Sequence, residues 1–169
     1  MQLVFGIDGS VSAWVAAQIP HMKGGGFGPC AALGVVTNAG EPVGGVVFTD
    51  HIPAYGNIQV SLAATSRRWL TRNLITAILR YPFRQLGVKR LTALVPPSAT
   101  NATQFLERMG WVREGCVRLG YGDEDAIIWG LLESEWRFNR FNADRQVQPK
   151  RRRRRRRGTL HLHEASPLH

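Results

Sequence analysis

Residues 61–90 read SLAATSRRWLTRNLITAILRYPFRQLGVKR, and within them the chain passes from strand to helix and back towards strand. Ile58 to Ala64 is a short apolar run of strand type. Thr65 and Ser66 follow, and either hydroxyl suits the cap of a helix, where it accepts bonds from orphan amides. Leu70, Leu74, Ile78 and Tyr81 then recur at the spacing of one buried helical face. The first turns of the expected helix carry Arg67, Arg68 and Arg72, at the end where the dipole favours acids. Arg68 and Arg72 stand four apart, where like charges repel by roughly 0.2–0.5 kcal/mol. From His51 through Leu106 there is no Asp or Glu to relieve them. Outward-pointing amides ringed by uncompensated guanidinium groups make a place to hold a phosphate-bearing ligand. The plainer reading is a solvated basic face.

Upstream, Ala31 to Thr37 and Val43 to Asp50 read as strands joined by an Asn38–Pro42 hairpin loop, and with Ile58–Ala64 they make an antiparallel meander. A first strand is expected at Leu3–Gly6, then a helix through Trp14, Val15 and Ile19, capped by Asp8 or Ser10 and ended by Pro20. The glycine-rich run from His21 to Pro29 reads as a loop, since no GK[ST] helix follows it. Downstream, Gly87-Val88 closes the basic helix and Arg90 to Val95 returns as a strand. A strand–helix–strand of this length is a right-handed crossover, which makes the two strands parallel. Ser98 or Thr100 caps a shorter helix with Ala102, Phe105 and Met109 on one face, closed by Gly110 as a left-handed cap. Trp111–Leu119 and Asp125–Leu132 read as two last strands around a Tyr121-Gly122-Asp123 turn. A short helix is expected over Ser134–Phe141.

The chain has 169 residues, enough for one domain with a real core. Of its net charge of +10, the tail from residue 146 holds +7 (Lys150 and Arg151 to Arg157 against Glu164), which leaves +3 on residues 1–145. The two cysteines, Cys30 and Cys116, have no CxxC partner or His cluster, which speaks against zinc and against a disulfide framework. Both read as reduced core thiols. No signal-peptide pattern and no membrane-length apolar run are evident, so a soluble, cytoplasmic protein is expected.

The order strand, helix, three-strand meander, helix, strand, helix, two strands resembles the GNAT family of N-acetyltransferases. YPFRQLGVKRL at 81–91 is similar to the corresponding helix end and strand of the ribosomal-protein-alanine acetyltransferase branch. FLERMGWVREG at 105–115 resembles that branch's LxEKxGFxxEG. The resemblance spans about residues 3–136 and implies an α+β fold: a mixed, mostly antiparallel central sheet flanked by helices. It makes residues 1–145 an acyl-coenzyme-A-binding domain; residues 146–169, which have no apolar period, are expected to form a disordered arginine-rich tail. It also implies acetyl-CoA as co-substrate, an amine-bearing acceptor, and transfer of the acetyl group by direct attack of the amine on the thioester.

In the family, a Q/R-x-x-G-x-G/A loop holds the pyrophosphate. By resemblance that loop falls on Ser66 to Thr71, so Arg67, Arg68, Trp69, Leu70, Thr71 and Arg72 are cofactor-binding candidates. Trp69 and Thr71 stand where the family has small residues, and Trp69 either packs on the cofactor or fills core. Leu62, Ala63 and Ala64 of the fourth strand would line the acyl arm, with an amide near Leu62 holding the carbonyl oxygen. Asn101 matches a cofactor-contacting Asn in the family, or simply caps its helix. The family's usual acidic base is missing from the fourth strand, and Leu106 stands where its Tyr acid falls. The nearest bases are then Asp50 and His51, with Tyr55 beside them; a solvated loop His is the plainer reading.

Lys150 and Arg151 to Arg157 suit a nucleic acid or other polyanion by charge density, bound tightly, salt-sensitively and without regard to sequence. The arginine run is equally explained as incidental sequence. Together with the altered loop, the tail keeps a second reading open: a non-catalytic GNAT-fold structural protein, such as a phage internal virion component.

Overall fold

A computed structural model describes residues 1–22, 24–66 and 68–145. The arginine-rich tail from residue 146 onward, and Arg67 with its expected cofactor role, lie outside the described residues. Seven strands form one sheet in the order β1-β2-β3-β4-β5-β7-β6. They are β1 Gln2–Val4, β2 Ala31–Val36, β3 Pro42–Ile52, β4 Asn57–Ala64, β5 Arg90–Val95, β6 Val112–Val117 and β7 Ala126–Leu132. Four helices accompany them: α1 Asp8–Gln18, α2 Arg72–Arg80, α3 Thr100–Arg108 and the single turn α4 Glu133–Trp136. Strands β1 to β4 pair antiparallel, β4 and β5 pair parallel, and β5, β7 and β6 are again antiparallel. The expected meander and crossover are both present.

Alternation along β3 divides the core. Val47 faces α1 with Val11, Val15, Ala32 and Ala63, whereas Val46 and Phe48 face the larger cluster under α2 and α3. Helix α1 comes close to the sheet because glycines oppose each other beneath it, Gly34 on β2 pairing with Gly45 on β3. A Cβ on Gly45 would meet Val15 at 2.6 Å, and one on Gly34 would meet Val4 at 2.8 Å and Val11 at 3.0 Å. Gly44 points the other way and makes room for the Trp69 indole. No helix among the described residues is long and apolar enough to cross a membrane.

The basic helix begins later than its sequence suggests. Ser66 and residues 68–70 lie outside any helix, and Thr71, not Thr65 or Ser66, caps α2 by accepting the Leu74 N–H at 3.3 Å. The reason is Trp69. Only 5% exposed, it is drawn under Gly44, and a helix begun at Ser66 would not place it there. At the far end Pro82, which has no N–H to give, sits in a wide π turn over Tyr81–Gln85, where Leu86 N–H reaches Tyr81 O at 3.1 Å.

Other boundaries also shift. Ile7 rather than Asp8 or Ser10 is the cap position of α1, because the Asp8 carboxylate is engaged elsewhere, accepting the Ala32 N–H at 2.6 Å. No side chain caps α3. Gly110 does close it, at φ +81°. The last helix is one turn, after which the chain runs back along α2. There the buried Thr76 hydroxyl donates to Arg72 O at 2.9 Å and accepts from Ala143 N–H at 2.7 Å. Cys30, partly buried, packs against the core on the α1 face, but Cys116 is exposed and is not the core thiol expected; β6 is an edge strand, and its side chains are mostly open to solvent.

Candidate functional site

The parallel pairing of β4 and β5 is brief. Asn57 pairs with Arg90, Ile58 with Leu91 and Gln59 with Thr92, and there it stops. Beyond Gln59 the two strands part, and a cleft of about 350 Å³ opens between them. Its walls are largely apolar: Val60 and Leu62 from β4, Ala93 and Val95 from β5, Ala102, Phe105 and Leu106 from α3. Helix packing on β4 and β5 does not close it, since Ala93, Ala99 and Ala102 are too small to fill the gap.

The polar groups sit at its mouth. Pro20 ends α1 and begins the short helical turn Pro20–Met22, which carries His21 over the opening. Tyr121, Asp123 and Glu124 reach it from the β6–β7 turn, and Ser98 from the loop before α3. The rings of His21 and Tyr121 lie 4.1 Å apart, inclined at 41°. The Tyr121 hydroxyl donates to Leu94 O at 2.8 Å. The carboxylate of Glu124 accepts from the Ser98 N–H at 2.6 Å and from its hydroxyl at 2.8 Å. Partial burial lowers the pKa of His21, and the negative charge of Glu124 opposes that only in part. Burial raises the pKa of Tyr121, so its phenol stays protonated. The mouth therefore pairs an imidazole biased towards its neutral form with a proton-bearing phenol.

The residues named from sequence are scattered about this geometry. Leu62 lines the cleft, whereas Ala63 packs on the α1 face and Ala64 is exposed opposite Gly44. Arg68 is exposed. Arg72 opens α2, but its guanidinium donates to Asn142 O at 2.9 Å. Leu70 packs against the core, Thr71 is the cap, and the indole of Trp69 fills core and takes no part in lining the cleft. Asn101 is exposed in the first turn of α3, away from the lining.

Asp50, His51 and Tyr55 are not brought to the cleft at all. They are exposed around the β3–β4 turn, where Ile52 faces Asn57, at the closed end of the β4–β5 ladder. The cleft begins at Val60, three steps along β4 from Asn57, so at about 3.3 Å per residue they lie about 10 Å or more from its near wall. Nothing in the sequence marks His21, Ser98, Tyr121 or Glu124 as cleft residues, since each lies in a connection that reads as plain loop or turn. Topology held the clue: β7 runs antiparallel to β5, with Val95 opposite Ile127, so the β6–β7 turn must lie at the carboxyl end of β5.

No protein-family model matches the chain, and no curated protein matches it. Solved structures do. The spermidine N-acetyltransferase SpeG of Vibrio cholerae, in a single-site mutant form, superposes with a TM-score of 0.64 over 80% of this chain and 96% of that one, at 13% identity. The ribosomal-protein-S5-alanine acetyltransferase of Vibrio fischeri gives 0.54 over 63% of each chain at 16% identity. A GNAT-family acetyltransferase of Bacillus anthracis gives 0.52 over 62% of this chain and 67% of that one, at 20% identity. The chain spans only 62% and 64% of the length of two further matches. Seven strands in this order, parted between β4 and β5, give this chain the GNAT fold.

Proposed function

We propose that the protein is an N-acyltransferase that moves an acetyl group from acetyl-coenzyme A to a primary amine. The observation that carries this reading is the cleft itself, an apolar passage where β4 and β5 part, with a neutral-leaning imidazole at its mouth. Two of the structural neighbours are named for acetylating spermidine and an alanine of a ribosomal protein, which supports an amine acceptor here.

The residues present fit the coenzyme. The apolar walls suit its narrow arm. Its phosphates suit the exposed Arg68 and the first-turn amides of α2, at Arg72 and Asn73, which have no partner within the helix. The bulk of Trp69 is turned into the core, under Gly44, so it does not obstruct the cleft. When bound, the coenzyme supplies a thioester carbonyl as electrophile. His21, neutral near pH 7, accepts the proton of the acceptor ammonium as the amine comes into line. Beyond Gln59, backbone groups of β4 on the side of β5 have no sheet partner, and an amide near Leu62 is available to hold the carbonyl oxygen.

Coenzyme A should therefore raise the melting temperature of the native protein, by about 2.7 kcal/mol of added stability at a hundredfold excess over Kd. Ala102→Trp, which fills the cleft from the half-buried face of α3, should abolish that shift while leaving the circular dichroism of the fold intact. No shift at millimolar coenzyme A in the unaltered protein would sink the reading, and the fold would stand without this chemistry.

A further inference from the structure

The loop before α3 and the β6–β7 turn come from separate parts of the chain, yet a single side chain fastens them together over the cleft. Both carboxylate oxygens of Glu124 are spent on one residue, Ser98, one on its backbone N–H and the other on its hydroxyl. The main-chain carbonyl of Glu124 also accepts the Tyr121 N–H at 2.9 Å, which fixes Tyr121 within the same turn. Tyr121 in turn is held to Leu94 O and lies against His21.

We propose that Glu124 is a positioning residue: by clamping Ser98 it holds the β6–β7 turn over the cleft and keeps Tyr121 against the His21 ring. The inference deepens the acyltransfer reading and rests on it for its kinetic arm. Its geometric arm stands alone. The carboxylate also bears on the charge of the imidazole. The charged groups facing His21 over the cleft are Asp123 and Glu124, with the Tyr121 phenol beside them; β4, β5 and α3 contribute only uncharged side chains to the lining. The negative charge of Glu124 raises the His21 pKa against the lowering by burial.

The test uses the full chain with Glu124→Gln, Glu124→Ala and Ser98→Ala, and reads the His21 imidazole by NMR titration, assigned through His21→Asn. Glu124→Gln keeps an oxygen that can accept from Ser98 but removes the charge, so the His21 titration should move to lower pH while Tyr121 stays against the ring. Glu124→Ala should lose that contact, seen as loss of the ring-current shift between the two. In the acetyl-transfer assay it should raise the acceptor KM by about ten- to a hundredfold, the scale of a lost charge-assisted hydrogen bond, with Glu124→Gln recovering much of it. Coenzyme A affinity should hold. Ser98→Ala removes the hydroxyl but keeps the amide, so it should give a smaller effect in the same direction. An unmoved His21 titration in Glu124→Gln, with ring contact kept in Glu124→Ala, overturns the proposal. If the unaltered protein binds no coenzyme A but both NMR effects appear, the clamp stands and the acyltransfer reading falls.

Discussion

Replacing His21 with asparagine is expected to lower kcat for acetyl transfer by about 10²–10⁴-fold, the usual share of a positioned proton acceptor. An amine acceptor arrives mainly as its ammonium near neutral pH and must lose a proton before it attacks. The imidazole takes that proton only in its neutral form. Because burial lowers the His21 pKa, the neutral form already dominates at pH 7. The rate should rise with pH through a midpoint below the ordinary imidazole value and be flat above it. In His21→Asn that acid limb should vanish along with most of the rate. His51→Asn is the matched control, since His51 lies at the closed end of the β4–β5 ladder and should leave kcat unchanged. A His21→Asn enzyme with an intact kcat and an unaltered acid limb would remove this residue from the reaction.

Trp69→Ala should cost about 3–5 kcal/mol of folding stability, the range for emptying a buried aromatic site. The indole is 5% exposed and sits in the larger core cluster with Val46, Val60 and Ile75. Its counterpart is Gly44. A Cβ there would stand 2.6 Å from the indole Cδ2 and closer still to Cε3, and the neighbouring atoms belong to a ring that cannot bend aside. Gly44→Ala should therefore destabilise by about 1–3 kcal/mol or more through overpacking. In the Trp69→Ala background the same methyl enters vacated space, so its cost should fall or change sign. Urea denaturation of the two single variants and the double variant reads this as a coupling energy. Strict additivity would mean that the glycine and the indole do not share one site.

Those two residues also explain where sequence reading held and where it failed. Short apolar runs bounded by turn residues placed β2, β3, β4 and β5, and Gly110 before Trp111 marked the join of α3 and β6, because each signal is local. The sequence suggests an earlier start for α2 because the hydroxyls of Thr65 and Ser66 look, locally, as good a cap as that of Thr71. The burial of Trp69, which keeps it out of that helix, depends on Gly44, twenty-five positions earlier on β3. The adjacent glycines at 44 and 45 lie inside a run that reads simply as strand, yet one admits an indole and the other a helix. The candidate site was less legible still. Asp50, His51 and Tyr55 have the right chemistry and lie near β4 in sequence, whereas the residues at the cleft meet only through sheet order. His21 follows the first helix and Tyr121 precedes the last strand, and no spacing rule joins positions a hundred residues apart.

The brevity of the β4–β5 ladder has a mechanical consequence. Three rungs join a four-stranded half of the sheet to a three-stranded half, and the open wedge beyond them acts as the tip of a crack. Beyond Gln59 and Thr92 the halves are tied by packing and not by sheet hydrogen bonds, since the larger core cluster runs from Val46 and Phe48 through Val60 to Val95 and Leu131. Whatever spanned the gap, from one lip to the other, would add a splint where the backbone has none.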